Sequence, residues 1–413
     1  MSEASLRDRT TAPRAEAAPL SEDDAFALVA AGAFEPVAPA RVGAEVEWHL
    51  TSPADRRRRI DPETVKALLG VRDALPRCTR LSFEPGGALE LSTRPAPVRE
   101  CFDDLEADRA RVSAALADEG LELLGLGLDP VRLPRRVVRS ARYQAMEELF
   151  DQDGRAGRWM MANTASVQVC LDTGTEDSGP HGLAERWALA HRLAPVLVAA
   201  FANSPLRRGE PSLWRSTRQH VWTAIDPTRS RPVPAGDPRE TWAAYALDAR
   251  VMAVRGPGRW TVPRGLTFRD WLRSTSLRPP TQGDLDFHLS TLFPPVRPRG
   301  RYLELRMIDA QPGPDWIVPV ALAAALFDHP AAAAAANEAL EPLWHDATAA
   351  DLYLRAATAA LHDAPIAAAA RACFTAALAA QTDPVIAAAL DRYTESFVAR
   401  NRTRADDLVS DPR

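Results

Sequence analysis

Glutamates recur on one side of several predicted strands, where their carboxylates could bind a divalent metal ion. In RVGAEVEWHL, residues 41–50, Glu45 and Glu47 share one parity, opposite Val46 and Trp48. Strand side chains alternate between faces, so both carboxylates should point the same way, roughly 7 Å apart. Like charges so close repel each other unless a positive partner lies between them. The spacing raises the question of which cation faces this strand.

Three further segments alternate in the same way, and we predict that they are strands. LSFEPGGALELS at 81–92 is typical of two strands around a Pro-Gly-Gly turn, and NTASVQVCLD at 163–172 and RYLELRMID at 301–309 alternate throughout. If the 81–92 hairpin has a three-residue loop, both of its glutamates share one face. The polar faces carry, in chain order, Ser82, Glu84, Glu90, Ser92, Thr164, Ser166, Gln168, Cys170, Tyr302, Glu304 and Arg306.

Such alternation is also typical of an antiparallel sheet with one face in solvent. A solvated face would be expected to balance its charge with Lys and Thr, whereas this one is nearly free of lysine. Oxygen-rich clusters without His or Cys at ligand spacing suit hard cations such as Mg²⁺, with Mn²⁺ as the alternative. We therefore predict more than one ion, carrying a nucleotide's phosphates. The predicted ligands are Glu45, Glu47, Glu84, Glu90 and Glu304.

Motifs for other chemistries are missing from the sequence. It contains no GxxxxGK[ST], GxSxG or HExxH pattern, and GLGLDP at 125–130 lacks the third glycine and following helix of a dinucleotide site. His49, His220 and His288 lie near interesting segments, but we interpret each as an ordinary polar or packing residue. The carboxylate-rich face is thus the main candidate for a functional site.

Composition and charge narrow the class of protein. The 413 residues are 46% hydrophobic and 25% charged, with a formal net charge of -5, which argues against a nucleic-acid or membrane-surface partner. Four cysteines without a CxxC pair fit a reducing cytosol. The N-terminus does not resemble a signal peptide, and the apolar run at 193–202 is too short to span a bilayer. We expect a cytoplasmic protein that acts on small molecules without an obligate protein partner.

Irregular alternation of strands and helices predicts an α+β fold built on a mainly antiparallel sheet with flanking helices. We expect a disordered tail at 1–20, a catalytic domain at 21–316 and an alanine-rich helical region at 317–413 that packs on it, broken near Pro330, Pro365 and Pro384. We predict a strand at 121–128 and a loop-rich stretch at 206–300, and helices at 22–34, 62–70, 98–119, 140–150 and 183–202.

Six segments between about 40 and 310 together resemble the glutamate–cysteine ligases of the plant and bacterial type, and are most similar to the branch associated with ergothioneine biosynthesis. They are VGAEVEWHL, LSFEPGGALELS, RWMMANTASVQVCLD, FANSPL, RSTRQHVWTAIDPTR and TLFPPVRPRGRYLELRMID. The resemblance implies a curved, glutamine-synthetase-like antiparallel sheet that holds metal-bound ATP. It also implies synthesis of γ-glutamylcysteine from L-glutamate, L-cysteine and ATP through an acyl phosphate.

The resemblance implies roles for individual residues as well. The five glutamates would bind metal, Gln168 would contact metal or substrate, and Arg306 would face the phosphates. Asn163, Thr164 and Ser166 would belong to a glutamate-pocket strand, and Arg218, Trp222 and Arg229 to a region that contacts substrate or phosphates, with Arg306 and Arg229 as the catalytic pair. Cys170 stands where related enzymes usually have Asn, which bears on the shape of the substrate pocket.

Two other functions stay open at this point. A carboxylate–amine ligase of the same architecture could use another amine acceptor, since the metal-binding face would be unchanged. A catalytically inactive regulatory homologue is the second alternative, although a decayed site should show gaps among the glutamates. The residues do not identify the base that deprotonates the amine, or the oligomeric state.

Overall fold

The computed structural model describes residues 19–70, 75, 77, 80–256 and 259–410. The predicted disordered tail at 1–20 therefore lies almost entirely outside the described residues. The strands are β1 (Val42–Thr51), β2 (Arg80–Phe83), β3 (Leu89–Ser92), β4 (Glu122–Leu124), β5 (Ser166–Asp172), β6 (Leu206–Arg207), β7 (Glu210–Pro211), β8 (Val296–Pro298) and β9 (Tyr302–Asp309).

One antiparallel sheet forms the centre of the molecule, with strand order β2-β3-β1-β5-β9-β8 and β4 paired to the end of β1. Its apolar face includes Val46, Leu91, Val167 and Leu305, all fully buried. β6 and β7 form a separate small hairpin. The alternation of apolar and polar residues predicted this sheet because each strand has one face in the core.

The helices in the first part of the chain are α1 (Glu22–Ala33), α2 (Pro62–Leu69), α3 (Val98–Ala117), α4 (Ala141–Asp151), α5 (Ala156–Asn163) and α6 (Leu183–Ala200). The five helices predicted here from the sequence lie within about two residues of these bounds. Side chains of Ser21, Asp61 and Ser140 cap the first turns of α1, α2 and α4. The predicted strand at 121–128 is shorter, because only 122–124 pair with β1.

The stretch at 206–300 is richer in helix than we predicted. It contains α7 (Thr217–Thr223), α8 (Pro227–Ser230), α9 (Pro238–Asp248), α10 (Phe268–Arg273) and α11 (Gln282–Leu289). Each begins at a Ser, Asp or Thr whose side chain accepts a backbone hydrogen bond. Prolines at the start of α8 and α9 occupy first-turn positions, where proline is compatible with a helix.

All the regular secondary structure described in the C-terminal part is helical, as predicted. It consists of α12 (Ile317–Asp328), α13 (Pro330–His345), α14 (Ala349–Ala359), α15 (Ala364–Ala380), α16 (Pro384–Ser396) and α17 (Arg404–Ser410). Because α12 packs on β5, α6 and α3, this region is in direct contact with the sheet and its helical layer. The boundary predicted at 316/317 stays a prediction.

Among the described residues, no single helix is long and apolar enough to cross a bilayer. The segments Gly313–Asp328 and Pro330–His345 reach the length and apolar composition of a membrane span only when they are taken together, and they meet at a bend of 101°.

Two irregularities around β5 were not predicted. Asn163 ends α5, Thr164 follows it in an extended conformation, and the strand begins only at Ser166. A β-bulge also interrupts the pairing of β5 with β9, so that two residues of β9, Arg306 and Met307, lie opposite Gln168. The register sets Asp309 opposite Ser166 and Glu304 opposite Cys170. Directly opposed residues share a face, so Glu304 and Asp309 both point to the face of Ser166 and Cys170, although they are five positions apart. The bulge thus exchanges which alternate residues of β9 point to that face.

Candidate active site

The register of the sheet brings the predicted polar residues onto one face. Glu47 lies opposite Glu90, and Glu45 lies opposite both Ser92 and Gln168. Cys170 of β5 is flanked by Gly43 on β1 and Glu304 on β9. Opposed residues in an antiparallel pair point to the same side, so these groups form one continuous polar surface.

The turn between β2 and β3 adds Glu84 to this surface. The Glu84 N–H donates to the Ala88 carbonyl at 2.9 Å, which closes a three-residue loop of Pro85, Gly86 and Gly87. A Cβ on Gly86 would lie 2.0 Å from the Ala162 carbonyl oxygen, so only glycine lets the loop approach the end of α5 this closely. The loop length therefore keeps Glu84 on the same face as Glu90.

Glu47, Glu84 and Glu90 form a compact cluster in which one oxygen of each carboxylate lies within 4.8 Å of the others. Glu47 accepts hydrogen bonds from the Ser166 N–H at 2.8 Å and from Gln168 Nε2 at 3.1 Å. Burial and the nearby charge of Glu90 raise the pKa of Glu47 to about 7. The cluster is thus an oxygen-rich group with strong mutual repulsion, the donor set that hard divalent cations prefer.

Glu45 borders this cluster. Burial raises its pKa well above the usual range, and the charges of Glu90 and Glu304 raise it further. Its position between the cluster and Glu304 extends the carboxylate surface toward β9.

Glu304, predicted as a metal ligand, is held by two arginines. Arg297 Nε donates to Glu304 Oε2 at 2.7 Å, and Arg306 Nη1 donates to the same oxygen at 2.8 Å. Burial alone would raise the pKa of Glu304, but these guanidinium groups outweigh burial and lower it. Glu304 therefore orients arginines in this structure and does not join the three-carboxylate cluster.

Arg297 is a residue of the site that we did not predict from the sequence. It is almost fully buried, and its Nη1 also donates to the Leu292 carbonyl at 2.9 Å. It lies opposite Glu304 in the β8–β9 pair. A short hairpin around Gly300 would have placed Arg297 opposite Glu304. The sequence did not indicate that hairpin, because β8 has only three residues and little alternation of polar and apolar side chains.

Arg306 is linked to the carboxylate cluster through Gln168. Its Nη1 donates to Gln168 Oε1 at 2.6 Å, and Gln168 Nε2 donates to Glu47. The guanidinium carbon lies 5.9 Å from the Trp222 ring centre and 5.7 Å from that of Phe293. Two aromatic faces and a chain of hydrogen bonds thus fix a cation beside the glutamates.

Arg218 lies in the same cavity, almost completely buried. Its Nη2 donates to the Arg306 carbonyl at 2.8 Å, and its guanidinium carbon lies 5.6 Å from the Trp222 ring centre. Its Nε and Nη1 have no hydrogen-bond partner in the part of the chain that the structure describes. Burial lowers the pKa of Arg218, as expected for a cation that lacks full compensation. These free donors could bind an anionic group.

Two cavities meet at the polar face of the sheet. The smaller has a volume of about 140 Å³ and the larger about 1170 Å³, and Glu45 and Arg297 line both. Cys170 lines the larger cavity. The smaller cavity contains most of the predicted site residues: Glu45, Glu47, Glu84, Glu90, Thr164, Ser166, Gln168, Arg218, Trp222 and Arg306.

Three predicted site residues line neither cavity: Glu304, which its two arginines hold, Asn163 and Arg229. Asn163 ends α5, and its Nδ2 donates to the Arg132 carbonyl at 2.7 Å. Arg229 is fully buried in an ion pair with Asp226, whose Oδ2 lies 2.9 Å from Arg229 Nε. Arg229 also donates to the Thr291 carbonyl at 2.7 Å. Arg229 is therefore engaged in an ion pair outside both cavities, and the catalytic role predicted for it stays a prediction.

The chain belongs to the glutamate–cysteine ligase family 2, whose sequence model matches residues 41–406. It is 41% identical, over 94% of its length and 91% of the relative's, to a glutamate–cysteine ligase EgtA from Mycolicibacterium smegmatis. It is 42% identical to an EgtA from Mycobacterium tuberculosis, over 89% of this chain and 85% of that one. These matches confirm the family predicted from the sequence and identify the enzyme class as a ligase.

A solved structure shares the fold. The crystal structure of a glutamate–cysteine ligase from Francisella tularensis in complex with AMP superposes with a TM-score of 0.53 at 12% identity, covering 91% of this chain and 85% of that one. At this identity the likeness concerns the fold alone. It confirms the predicted α+β class with its mainly antiparallel, glutamine-synthetase-like sheet and flanking helices.

Proposed function

We propose that the protein uses ATP to join the γ-carboxylate of L-glutamate to the amine of L-cysteine, making γ-glutamylcysteine for ergothioneine biosynthesis. The observation that carries the proposal is the carboxylate cluster of Glu47, Glu84 and Glu90 on the same sheet face as Arg218 and Arg306. Membership of the glutamate–cysteine ligase family and the similarity to two EgtA enzymes support it.

The cluster fits a divalent cation. Three carboxylate oxygens within 4.8 Å of one another, with the pKa of Glu47 raised by burial and by Glu90, favour a positive partner among them. We assign Mg²⁺, or Mn²⁺ in its place, to Glu47, Glu84 and Glu90, with Glu45 at the edge of the site. When bound, the ion supplies positive charge that offsets the triphosphate and the transferred phosphoryl group.

The two cavities suit two kinds of substrate. The larger, about 1170 Å³, is of the size that holds a nucleotide, and Arg297 and Arg299 line it beside Glu45. We assign ATP to this cavity, with its phosphates toward Glu45. The smaller cavity, about 140 Å³, contains the free donors of Arg218, and we assign glutamate to it, with the α-carboxylate on Arg218.

The remaining side chains position glutamate for the reaction. Thr164 and Ser166 line the smaller cavity, and Trp222 packs against both arginines. Gln168 and Glu304 fix Arg306, so that its guanidinium faces the transferred phosphoryl group with little loss of side-chain entropy. Asn163 and Arg229 are not part of this assignment.

The chemistry proceeds in two displacements. An oxygen of the glutamate γ-carboxylate attacks the γ-phosphorus of ATP, the bond to the β,γ-bridging oxygen breaks, and ADP leaves. The neutral amine of cysteine then attacks the carbonyl carbon of the γ-glutamyl phosphate, inorganic phosphate leaves with the electrons of the C–O bond, and the amine loses a proton. Arg306 offsets negative charge in the first displacement, while Arg218 holds the substrate in place.

Product identification tests the proposal. The purified protein is incubated with Mg²⁺, ATP, glutamate and either cysteine, serine or 2-aminobutyrate, ADP release is followed, and the product is analysed by mass spectrometry. We expect γ-glutamylcysteine, with the highest kcat/KM for cysteine. A kcat/KM for serine equal to that for cysteine would favour a ligase with another acceptor. Absence of ADP release with every amine would favour an inactive homologue and overturn the proposal.

A further inference from the structure

We propose that Asp309 is a positioning residue that holds the guanidinium of Arg218 in the orientation needed to bind the glutamate α-carboxylate. The inference rests on the proposed function and adds to it a residue that does not itself line the substrate cavity. Neither the alternation of RYLELRMID nor any motif of the sequence pointed to this aspartate as part of the site.

Asp309 is buried at the meeting point of three chain segments. Its Oδ2 accepts hydrogen bonds from the Asn203 N–H at 2.9 Å and from Ser204 Oγ at 2.7 Å. Its Oδ1 accepts a hydrogen bond from Ser216 Oγ at 2.9 Å and lies 3.9 Å from Arg218 Nη1. Both carboxylate oxygens are therefore engaged, and the carboxylate has a single well-defined orientation.

Ser204 connects this carboxylate to the backbone of Arg218. Its Oγ donates to Asp309 and accepts a hydrogen bond from the Arg218 N–H at 3.1 Å. Ser216, on the other oxygen, caps α7 by accepting from the Gln219 N–H. The start of α7, which carries Arg218, is thus tied to Asp309 through two hydroxyl groups as well as through the charge pair.

The guanidinium of Arg218 is therefore held from two sides. Its Nη2 donates to the Arg306 carbonyl, and its Nη1 faces Asp309 at 3.9 Å, beyond hydrogen-bond distance. Electrostatic attraction at this distance orients the guanidinium of Arg218, while its N–H donors form no hydrogen bond with Asp309. Its Nε and Nη1 keep no hydrogen-bond partner among the described residues, which leaves them for a substrate carboxylate.

A glycine makes room for Asp309. A Cβ on Gly127 would lie 2.4 Å from Asp309 Cγ, and a Cβ on Gly125 would lie 2.3 Å from the Gln311 carbonyl oxygen. The GLGLDP segment, which does not form a dinucleotide site, is instead packed directly against the end of β9. This close approach seals the aspartate away from water and strengthens its interaction with Arg218.

The variant Asp309→Asn tests the inference, because it keeps the shape of the side chain and removes its charge. We expect kcat/KM for glutamate to fall about tenfold, as is typical for loss of a residue that orients a ligand-binding group, while KM for ATP changes less than twofold. In an Arg218→Ala background the same substitution should cause no further loss, since Asp309 acts through Arg218.

Asp284→Asn is the matched control. Asp284 is also buried, accepts from the Thr281 N–H and hydroxyl, and pairs with Arg278, but it lines neither cavity. We expect it to lower the melting temperature without changing KM for glutamate. If Asp309→Asn does not fold, Ser204→Ala, which removes only one hydroxyl from the network, should raise KM for glutamate about threefold.

The outcomes separate the two proposals. A wild-type enzyme without glutamate-dependent ADP release overturns the proposed function and, with it, this inference. An active wild type combined with a folded Asp309→Asn variant whose kcat/KM for glutamate is within twofold of wild type overturns the inference alone. The inference is also overturned if Asp309→Asn lowers kcat/KM for glutamate as much in the Arg218→Ala background as in the wild type. An unchanged KM for glutamate in Ser204→Ala would overturn it too.

Discussion

Glu47 of β1 lies directly opposite Glu90 of β3, and the carboxylate of Glu84 completes a triad with oxygens within 4.8 Å of one another. Ser82 and Ser92 donate to Glu90 Oε1 at 2.7 and 2.9 Å. Hydroxyl groups satisfy lone pairs but do not neutralise charge. The metal-free protein therefore keeps an electrostatic repulsion that a bound cation would relieve.

The first prediction concerns Glu90→Gln. In EDTA, the substitution should raise the melting temperature by about 2 °C, because it removes one of two like charges that face each other across the strands. Mg²⁺ should raise the melting temperature of the wild type, and Glu90→Gln should abolish most of that increase. Thermal unfolding with and without Mg²⁺ measures both effects, and Glu341→Gln, at an exposed position on α13, is the control. A full Mg²⁺ stabilisation in Glu90→Gln would show that the ion binds elsewhere.

The second prediction concerns Arg306→Ala. Loss of a cation fixed by Glu304 and Gln168 should lower kcat about 10²- to 10³-fold, because the contact acts on charge that develops in the transition state. KM for cysteine should change little. Steady-state kinetics measure the effect, with circular dichroism as a check on folding and Arg99→Ala on α3 as the control. Near-normal turnover in a folded variant would assign Arg306 to stabilisation of the strand.

The third prediction concerns Arg229→Ala, which separates stability from catalysis. Removing Arg229 leaves the buried carboxylate of Asp226 with Arg250, at 3.1 Å, as its remaining ion-pair partner, which should cost about 3 kcal/mol of unfolding free energy. The activity per folded molecule should stay within a few-fold of wild type. Urea unfolding and kinetics on the folded fraction measure the two quantities. Loss of activity without loss of stability would support the catalytic role predicted from the sequence.

The fourth prediction concerns the pH dependence of stability. Burial lowers the pKa of His288 from 6.5 to about 3 and that of His49 to about 4. The folded state thus binds fewer protons than the unfolded chain, so the contribution to stability is complete above pH 6.5 and is lost as the pH falls toward these values. At pH 5 the loss should be about 2 kcal/mol for each histidine.

His288→Gln tests this linkage, because glutamine can still donate to the Ala246 carbonyl that lies 2.7 Å from His288 Nε2. Unfolding free energies at pH 7.5 and pH 5 should differ less in the variant than in the wild type. His345→Gln, at an exposed position on α13, should leave the difference unchanged. An equal pH dependence in all three proteins would contradict the prediction.

The fifth prediction concerns Cys170→Asn. The sequence led us to expect that Cys170 shapes the substrate pocket, but it lines the larger cavity, which we assign to ATP. The substitution should therefore change KM for ATP more than the ratio of kcat/KM between cysteine and serine. Competition between the two amino acids gives that ratio directly. A shifted acceptor preference with an unchanged KM for ATP would place the acceptor in the larger cavity.

Period-two alternation was enough to predict which glutamates share a face, because neighbouring strands in an antiparallel sheet keep their opposed residues on the same side. Glu45, Glu47, Glu84 and Glu90 follow that rule, and the Pro-Gly-Gly turn had the length it required. Alternation does not reveal what each carboxylate contacts. Glu304 shares the face but is paired with Arg297, seven residues before it and across a turn.

Arg218 and Arg229 show a second limit. They lie in one sequence segment, 11 residues apart, and their side-chain chemistry is the same. Only Arg218 lines the cavity, because α7 carries it there, whereas α8 buries Arg229 against Asp226. Asp226 at the i−3 position was a local hint of that ion pair. Which of the two arginines lines the cavity depends on the angle between two short helices, and sequence periodicity contains no such information.

The bulge on β9 determines how this part of the chain can tolerate insertions and deletions. Glu304 and Asp309 are separated by an odd number of positions, yet both contact groups of the site, because one extra residue reverses the strand's parity between them. Deleting Met307 would give an uninterrupted ladder in which Asp309 still lies opposite Ser166, on the face that carries Glu304. A codon-deletion scan should therefore find that loss of Met307 is tolerated better than loss of Leu305, which would place Arg306 opposite the buried Val169.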